Sequence, residues 1–146
     1  MLRRAAPIAV AAALSCADAN QTEALRNLGD DCLSCHKPGG KAAKALFTLG
    51  GTAYRTAGDD PSPGLAGVRL ALTGADGRRL ELATNDRGNF WSKEKVAFPV
   101  AVEVWREGVD ARRSVAAGPC SAGTCNECHA RPPRGGAPGR IYAPAR

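Results

Sequence analysis

A mainly β fold is predicted, a small antiparallel β-sandwich flanked by short helices. Three observations predict it. Apolar residues alternate through the middle of the chain, at Val68, Leu70 and Leu72, at Leu80 and Leu82, and at Val96, Phe98, Val100, Val102 and Val104. A period of two is that of strands with one buried face. Turn residues separate these runs at hairpin spacing, as Gly74-Ala75-Asp76-Gly77 and Asn85-Asp86-Arg87-Gly88-Asn89, and Glu107-Gly108-Val109-Asp110 closes the long one. One pentapeptide, Cys-x-x-Cys-His, stands on each side of this block, as Cys32-Leu33-Ser34-Cys35-His36 and as Cys125-Asn126-Glu127-Cys128-His129.

The chain opens like an export signal. Arg3 and Arg4 precede an alanine-rich apolar run over 5–14 that is too short to span a bilayer, and small residues follow. Two processing sites compete: Ala17-Asp18-Ala19, which ends a signal peptide at 1–19, and Ala13-Leu14-Ser15-Cys16, which resembles a bacterial lipobox and ends the signal at 15 with a lipidated Cys16. Acyl chains on Cys16 would anchor the protein to a membrane surface. Either route places the protein in the periplasm or at the outer-membrane or cell surface, where thiols meet oxidising conditions.

An N-terminal segment at 20–45 follows. A helix is predicted over 22–36, capped by Thr22, with Leu25, Leu28 and Cys32 on one face, weakened by Gly29 and ended by Pro38-Gly39-Gly40. The sandwich is assigned to 46–117. An opening strand pair, 46–49 and 52–55, is predicted around Gly50-Gly51, and a last strand at 112–116, for five to seven antiparallel strands. The stretch 57–66 reads as an exposed Pro/Gly loop, where Asp59 and Asp60 suit solvation better than calcium. By parity Trp105 lies opposite Val102 and Val104, and Trp91 opposite Phe90. The C-terminal segment, 118–146, begins at Gly118-Pro119-Cys120. Thr124 is placed to cap a short helix bearing the second motif, and an extended Pro/Gly tail follows. Cys120 makes no third motif, because Asn126 rather than histidine follows Cys125; a disulfide with Cys16 or an unpaired buried thiol is expected of it.

The formal net charge of +6 falls to +4 without Arg3 and Arg4. The remaining arginines are scattered among acidic residues and aromatic residues are few, so no nucleic-acid stripe is present.

Both histidines of the protein lie in the repeated motif, and with six cysteines shuffling would give only about 0.003 copies per chain. Two thiols separated by two residues reach both vinyl groups of one porphyrin from a single helical turn, and the adjacent histidine then faces the iron. Cys32, Cys35, Cys125 and Cys128 would thus form thioethers, and His36 and His129 would ligate iron. Two Cys-x-x-Cys pairs also suit tetrahedral zinc or a redox dithiol. Neither chemistry requires histidine directly after the second cysteine of both pairs.

On these two segments the chain resembles c-type cytochromes, which implies two covalently bound haem c groups. A second resemblance rests on Gly51-Thr52-Ala53-Tyr54, on Gly67-Val68-Arg69-Leu70-Ala71-Leu72 and on Thr84-Asn85-Asp86-Arg87-Gly88-Asn89-Phe90. These are similar to the carboxypeptidase-regulatory-like, or transthyretin-like, sandwich, whose members are mostly accessory or spacer modules. That resemblance implies a fold and no catalytic residue. The tail from Gly136 to Ile141 resembles those after haem motifs in multihaem cytochromes of metal-reducing bacteria.

The usual sixth ligands of electron-transfer haems are histidine and methionine. Here both histidines are committed and Met1 is lost with the signal. The irons are then five-coordinate, weakly ligated or completed by another molecule; Lys37, Lys41, Lys44, Tyr142 and an α-amine at Asn20 are the nearest candidates. The favoured reading is an exported dihaem electron carrier, not an enzyme, with other cytochromes as redox partners and homo-oligomers open to it. One rival is a haem enzyme or a gas or peroxide sensor with an open iron position, where Arg131 or Arg134 would polarise the ligand. The other is a haem-free binding module with zinc-bound or disulfide-bonded cysteines.

Overall fold

The computed structural model describes residues 28–57, 64–115 and 122–144. The signal segment, Cys16, Asn20, the first six residues of the predicted first helix, Asp59, Asp60 and Cys120 lie outside the described residues.

The described chain is mainly β, with seven strands in two sheets and two single-turn helices. A four-stranded antiparallel sheet runs in the order β3 (Arg79–Ala83), β2 (Val68–Thr73), β5 (Ala101–Arg106), β6 (Arg113–Val115). A three-stranded sheet runs β4 (Asn89–Ser92), β1 (Leu49–Tyr54), β7 (Ile141–Tyr142). The helical turns are α1 (Cys32–Cys35) and α2 (Cys125–Cys128), so each coincides with one Cys-x-x-Cys.

The alternating residues fall where their period puts them. Val68, Leu70, Leu72 and Val104 are buried and meet Leu49, Ala53 and Phe90 of the smaller sheet, so one core holds both sheets together. The turn over 74–77 joins β2 to β3, and Glu107-Gly108 joins β5 to β6. Trp105 pairs in register with Arg69 on the face opposite Val104, beneath the Arg112 guanidinium at 4.5 Å, and does not line the core.

Four expectations are corrected. Gly50-Gly51 is not a turn: β1 runs unbroken through it, with all six residues buried. The turn at 85–88 does not close a hairpin, because β3 and β4 belong to different sheets; the chain crosses between layers there. The apolar run from Val96 becomes a strand only at Ala101, since Pro99 has no N–H for the ladder. Pairing is not wholly antiparallel, because the tail supplies β7, parallel to β1 through Ala53↔Ile141 and Tyr54↔Tyr142.

The predicted helix leading into the first motif is interrupted within its described part. Gly29 sits at φ +82°, a left-handed value closed to helix interiors, and of the described part of the predicted helix, 28–36, only Cys32–Cys35 is helical. Asp31 caps that turn: its Oδ1 accepts from the Leu33 N–H at 3.0 Å; Thr22 lies outside the described residues. At the second motif Thr124 makes no side-chain cap bond to the backbone; its hydroxyl donates to Glu127 Oε2 at 3.1 Å.

Candidate functional site

The two motifs meet the same strand at consecutive residues and on opposite faces. A Cβ on Gly50 would stand 2.8 Å from Cys32 Cβ, and one on Gly51 would stand 2.8 Å from Cys125 Cβ. Successive residues of a strand point to opposite faces, so Cys32 lies over one side of β1 and Cys125 over the other. The glycine pair is what lets both backbones come this close.

Asn126, the first variable residue of the second motif, fastens the arrangement. The open edge of β1 is covered in turn by Gly123, whose carbonyl accepts from Gly50 N–H, by the Asn126 carboxamide and by β7. Asn126 Oδ1 accepts from Thr52 N–H at 2.9 Å, and its Nδ2 donates to the Asp30 carbonyl at 2.8 Å and to Thr52 Oγ1 at 3.1 Å. Thr52 Oγ1 in turn donates to Asn89 Oδ1 at 2.8 Å and accepts from Gly29 N–H at 3.3 Å. A side-chain amide thus replaces a missing length of strand, and both motif segments are tied to β1 through one buried residue.

The two segments repeat one local design. After each helical turn the carbonyl of the second cysteine accepts a backbone bond, from Ala42 to Cys35 and from Arg134 to Cys128. Each histidine then turns back to a carbonyl further along: His36 Nδ1 lies 2.6 Å from Ala45 O, and His129 Nδ1 lies 2.6 Å from Gly139 O. A carbonyl only accepts, so Nδ1 carries a proton in both rings, and in the neutral tautomer this leaves the lone pair on Nε2. This is the orientation in which metal-ligating histidines are held.

Their surroundings differ. Cys125, Cys128 and His129 form one wall of a cleft of about 350 Å³; Leu70, Leu72, Val102 and Val104 of the larger sheet form the other, with Phe90 and residues 135–138 and 140–142 completing it. Arg113 and Arg140 also line it, stacked over Tyr142 at 4.0 Å and Tyr54 at 4.4 Å respectively. An apolar slot with two guanidiniums suits a planar macrocycle carrying carboxylates. At the first motif the His36 ring stacks on Phe47, with centroids 3.8 Å apart and planes 8° apart, and Phe47 in turn faces Trp91 at 5.7 Å. Burial, and next to it the Asp31 and Asp30 carboxylates, push the Cys32 thiol up to about 11. Cys35 is disulfide-bonded.

The residues of the second motif fit a covalently held haem in three respects: two cysteines outside any disulfide, a histidine held through Nδ1, and an apolar cleft. The first matches it in ring geometry, but the Cys35 sulfur in a disulfide is not at hand for a thioether. A zinc ion shared by the two Cys-x-x-Cys pairs does not fit, since Cys32 and Cys125 flank opposite faces of β1. Among the described residues no three His, Cys, Asp or Glu side chains converge on one point.

Of the other residues expected near an iron, Tyr142 lines the cleft. Lys37, Lys41 and Lys44 are exposed, as are Arg131 and Arg134; the arginines that line the cleft are Arg113 and Arg140. No signal in the sequence marks these two, nor Asn126 or Phe47. The Gly50-Gly51 pair is visible there, but as a turn signal. No family model, curated protein or solved structure matches the chain.

Proposed function

We propose that this protein is an exported dihaem c-type cytochrome that carries electrons, with Cys125, Cys128 and His129 holding one haem and, once Cys35 is reduced to its thiol, Cys32, Cys35 and His36 the other. The observation that carries this reading is the shared histidine geometry: Nδ1–H bonded to a main-chain carbonyl at 2.6 Å in both motifs, beside a pair of cysteines. A bound haem would supply one-electron chemistry at its iron. The chain's own part is positional. Ala45 and Gly139 fix the ring planes, Arg113 and Arg140 bring positive charge to the cleft, and the apolar walls keep water from the site.

In this proposal the sheets act as spacer and mount, as in carboxypeptidase-regulatory-like modules. It also includes export and a lipid anchor at Cys16. The Cys35 disulfide favours a second reading confined to the first motif, a monohaem protein in which that motif is structural.

Intact mass and a pyridine haemochrome assay on the mature protein, made in a host competent for cytochrome assembly, test both. Two haems per chain support the dihaem carrier, and one haem lost on Cys125→Ala/Cys128→Ala supports the monohaem form. Colourless protein with the mass of bare polypeptide overturns the proposal.

A further inference from the structure

All five lysines of the chain, Lys37, Lys41, Lys44, Lys93 and Lys95, fall in two short stretches, although arginine is spread along its length. The fold lays these stretches side by side. Leu49 and Ser92 are register partners in β1 and β4, and Thr48 N–H donates to the Ser92 carbonyl at 2.8 Å. Every one of the five is exposed.

A second observation falls on the same spot. Among the described residues the exposed large apolar side chains are Leu46 and Trp91, at 45% and 43%. Both belong to the lysine-bearing stretches, and neither is needed by the core. Apolar side chains ringed by charge of one sign form the anatomy of a protein-binding face: the centre supplies burial and the ring selects a partner of opposite charge. Glu94, the acidic residue between Lys93 and Lys95, lies 3.5 Å from Arg78, and Asp31 is occupied in capping α1.

We propose that this face is the docking surface for an acidic protein, seated on Leu46 and Trp91 and held by the lysines. It adjoins the first motif through the rings of His36, Phe47 and Trp91, stacked at 3.8 and 5.7 Å. That the docked protein exchanges electrons here rests on the haem reading; the docking itself does not.

The test is a titration of a fluorescein-labelled glutamate decapeptide with the mature protein, read by anisotropy at low and high salt. Binding should weaken at high salt, and Lys93→Glu/Lys95→Glu should raise Kd about tenfold, whereas Arg131→Glu/Arg134→Glu, with the same charge change, should stay within about twofold. Amide shifts induced by the peptide should map to 41–48 and 91–95. Equal weakening by the two reversals, or shifts centred elsewhere, overturns the proposal. Absorption of the same sample separates the two readings: colourless protein that binds the peptide here fails the haem reading alone, and coloured protein that binds it elsewhere fails the docking alone.

Discussion

Asn126 and Asp30, ninety-six residues apart, are joined by a hydrogen bond of 2.8 Å from the carboxamide of one to the carbonyl of the other. The bond runs from inside the second Cys-x-x-Cys-His to the residue before the cap of the first. It makes the two motif segments one structural unit with β1, and it marks where that unit is most easily broken.

Asn126→Leu keeps most of the volume but removes the acceptor for Thr52 N–H and both donated bonds, leaving buried polar groups unpaired. A loss of about 2–4 kcal/mol is expected. Urea unfolding followed by far-ultraviolet circular dichroism measures it. A loss near that of an exposed substitution would mean that the amide does not bridge the edge of β1.

Gly50→Ala and Gly51→Ala should damage different motifs. The new methyl at 50 would meet Cys32 Cβ at 2.8 Å; that at 51 would meet Cys125 Cβ at 2.8 Å and Phe90 Cζ at 2.7 Å. Each should cost about 1–3 kcal/mol through forced backbone shifts. On the haem reading, peptide mass mapping should show incomplete attachment at residues 32–35 in the first variant and at 125–128 in the second.

Val102→Trp should fill the cleft that the second motif faces. Added apolar contact stabilises an open cleft, so a protein without haem should melt at the same or a higher temperature, while attachment at Cys125 and Cys128 should fall. Thermal melts and haem content of the same preparation give the two readings, and full attachment in the variant would place the macrocycle elsewhere.

Cys32 gives a prediction in pH for polypeptide carrying no thioether there. Its thiol is held up to about 11 from 9.0, by burial first and by the Asp31 carboxylate second. The folded state therefore holds this proton more tightly than the unfolded chain. The stabilisation is complete below pH 9.0 and is lost as pH rises through 9.0 towards about 11. Iodoacetamide should label Cys32 slowly in folded protein at neutral pH and rapidly after denaturation, with peptide mass spectrometry as readout. A Cys32 that resists alkylation even when denatured and reduced carries a thioether.

Most strands of the larger sheet were legible because each buries one face, and burial of one face writes a period of two into the sequence. β1 was not. Both of its faces are covered, by the core on one side and by the first motif on the other, so its glycines imitate a turn. β7 escaped for a different reason: two residues are too few to carry a period, and only a partner strand makes Ile141 and Tyr142 a strand at all.

The sequence by itself determined the chemistry on offer, because the spacing of two cysteines and a histidine is a local property that one helical turn satisfies. It also determined the sheet-forming block between the motifs, since alternation is local too. Only the tertiary structure decided that both motifs press on one strand from opposite sides, that Asn126 stands in for a stretch of backbone, and that each histidine points its Nδ1 at a carbonyl. Those relations join residues far apart in the chain or across a loop. They follow from which backbone groups would otherwise be buried without partners, a constraint that no short window of residues records.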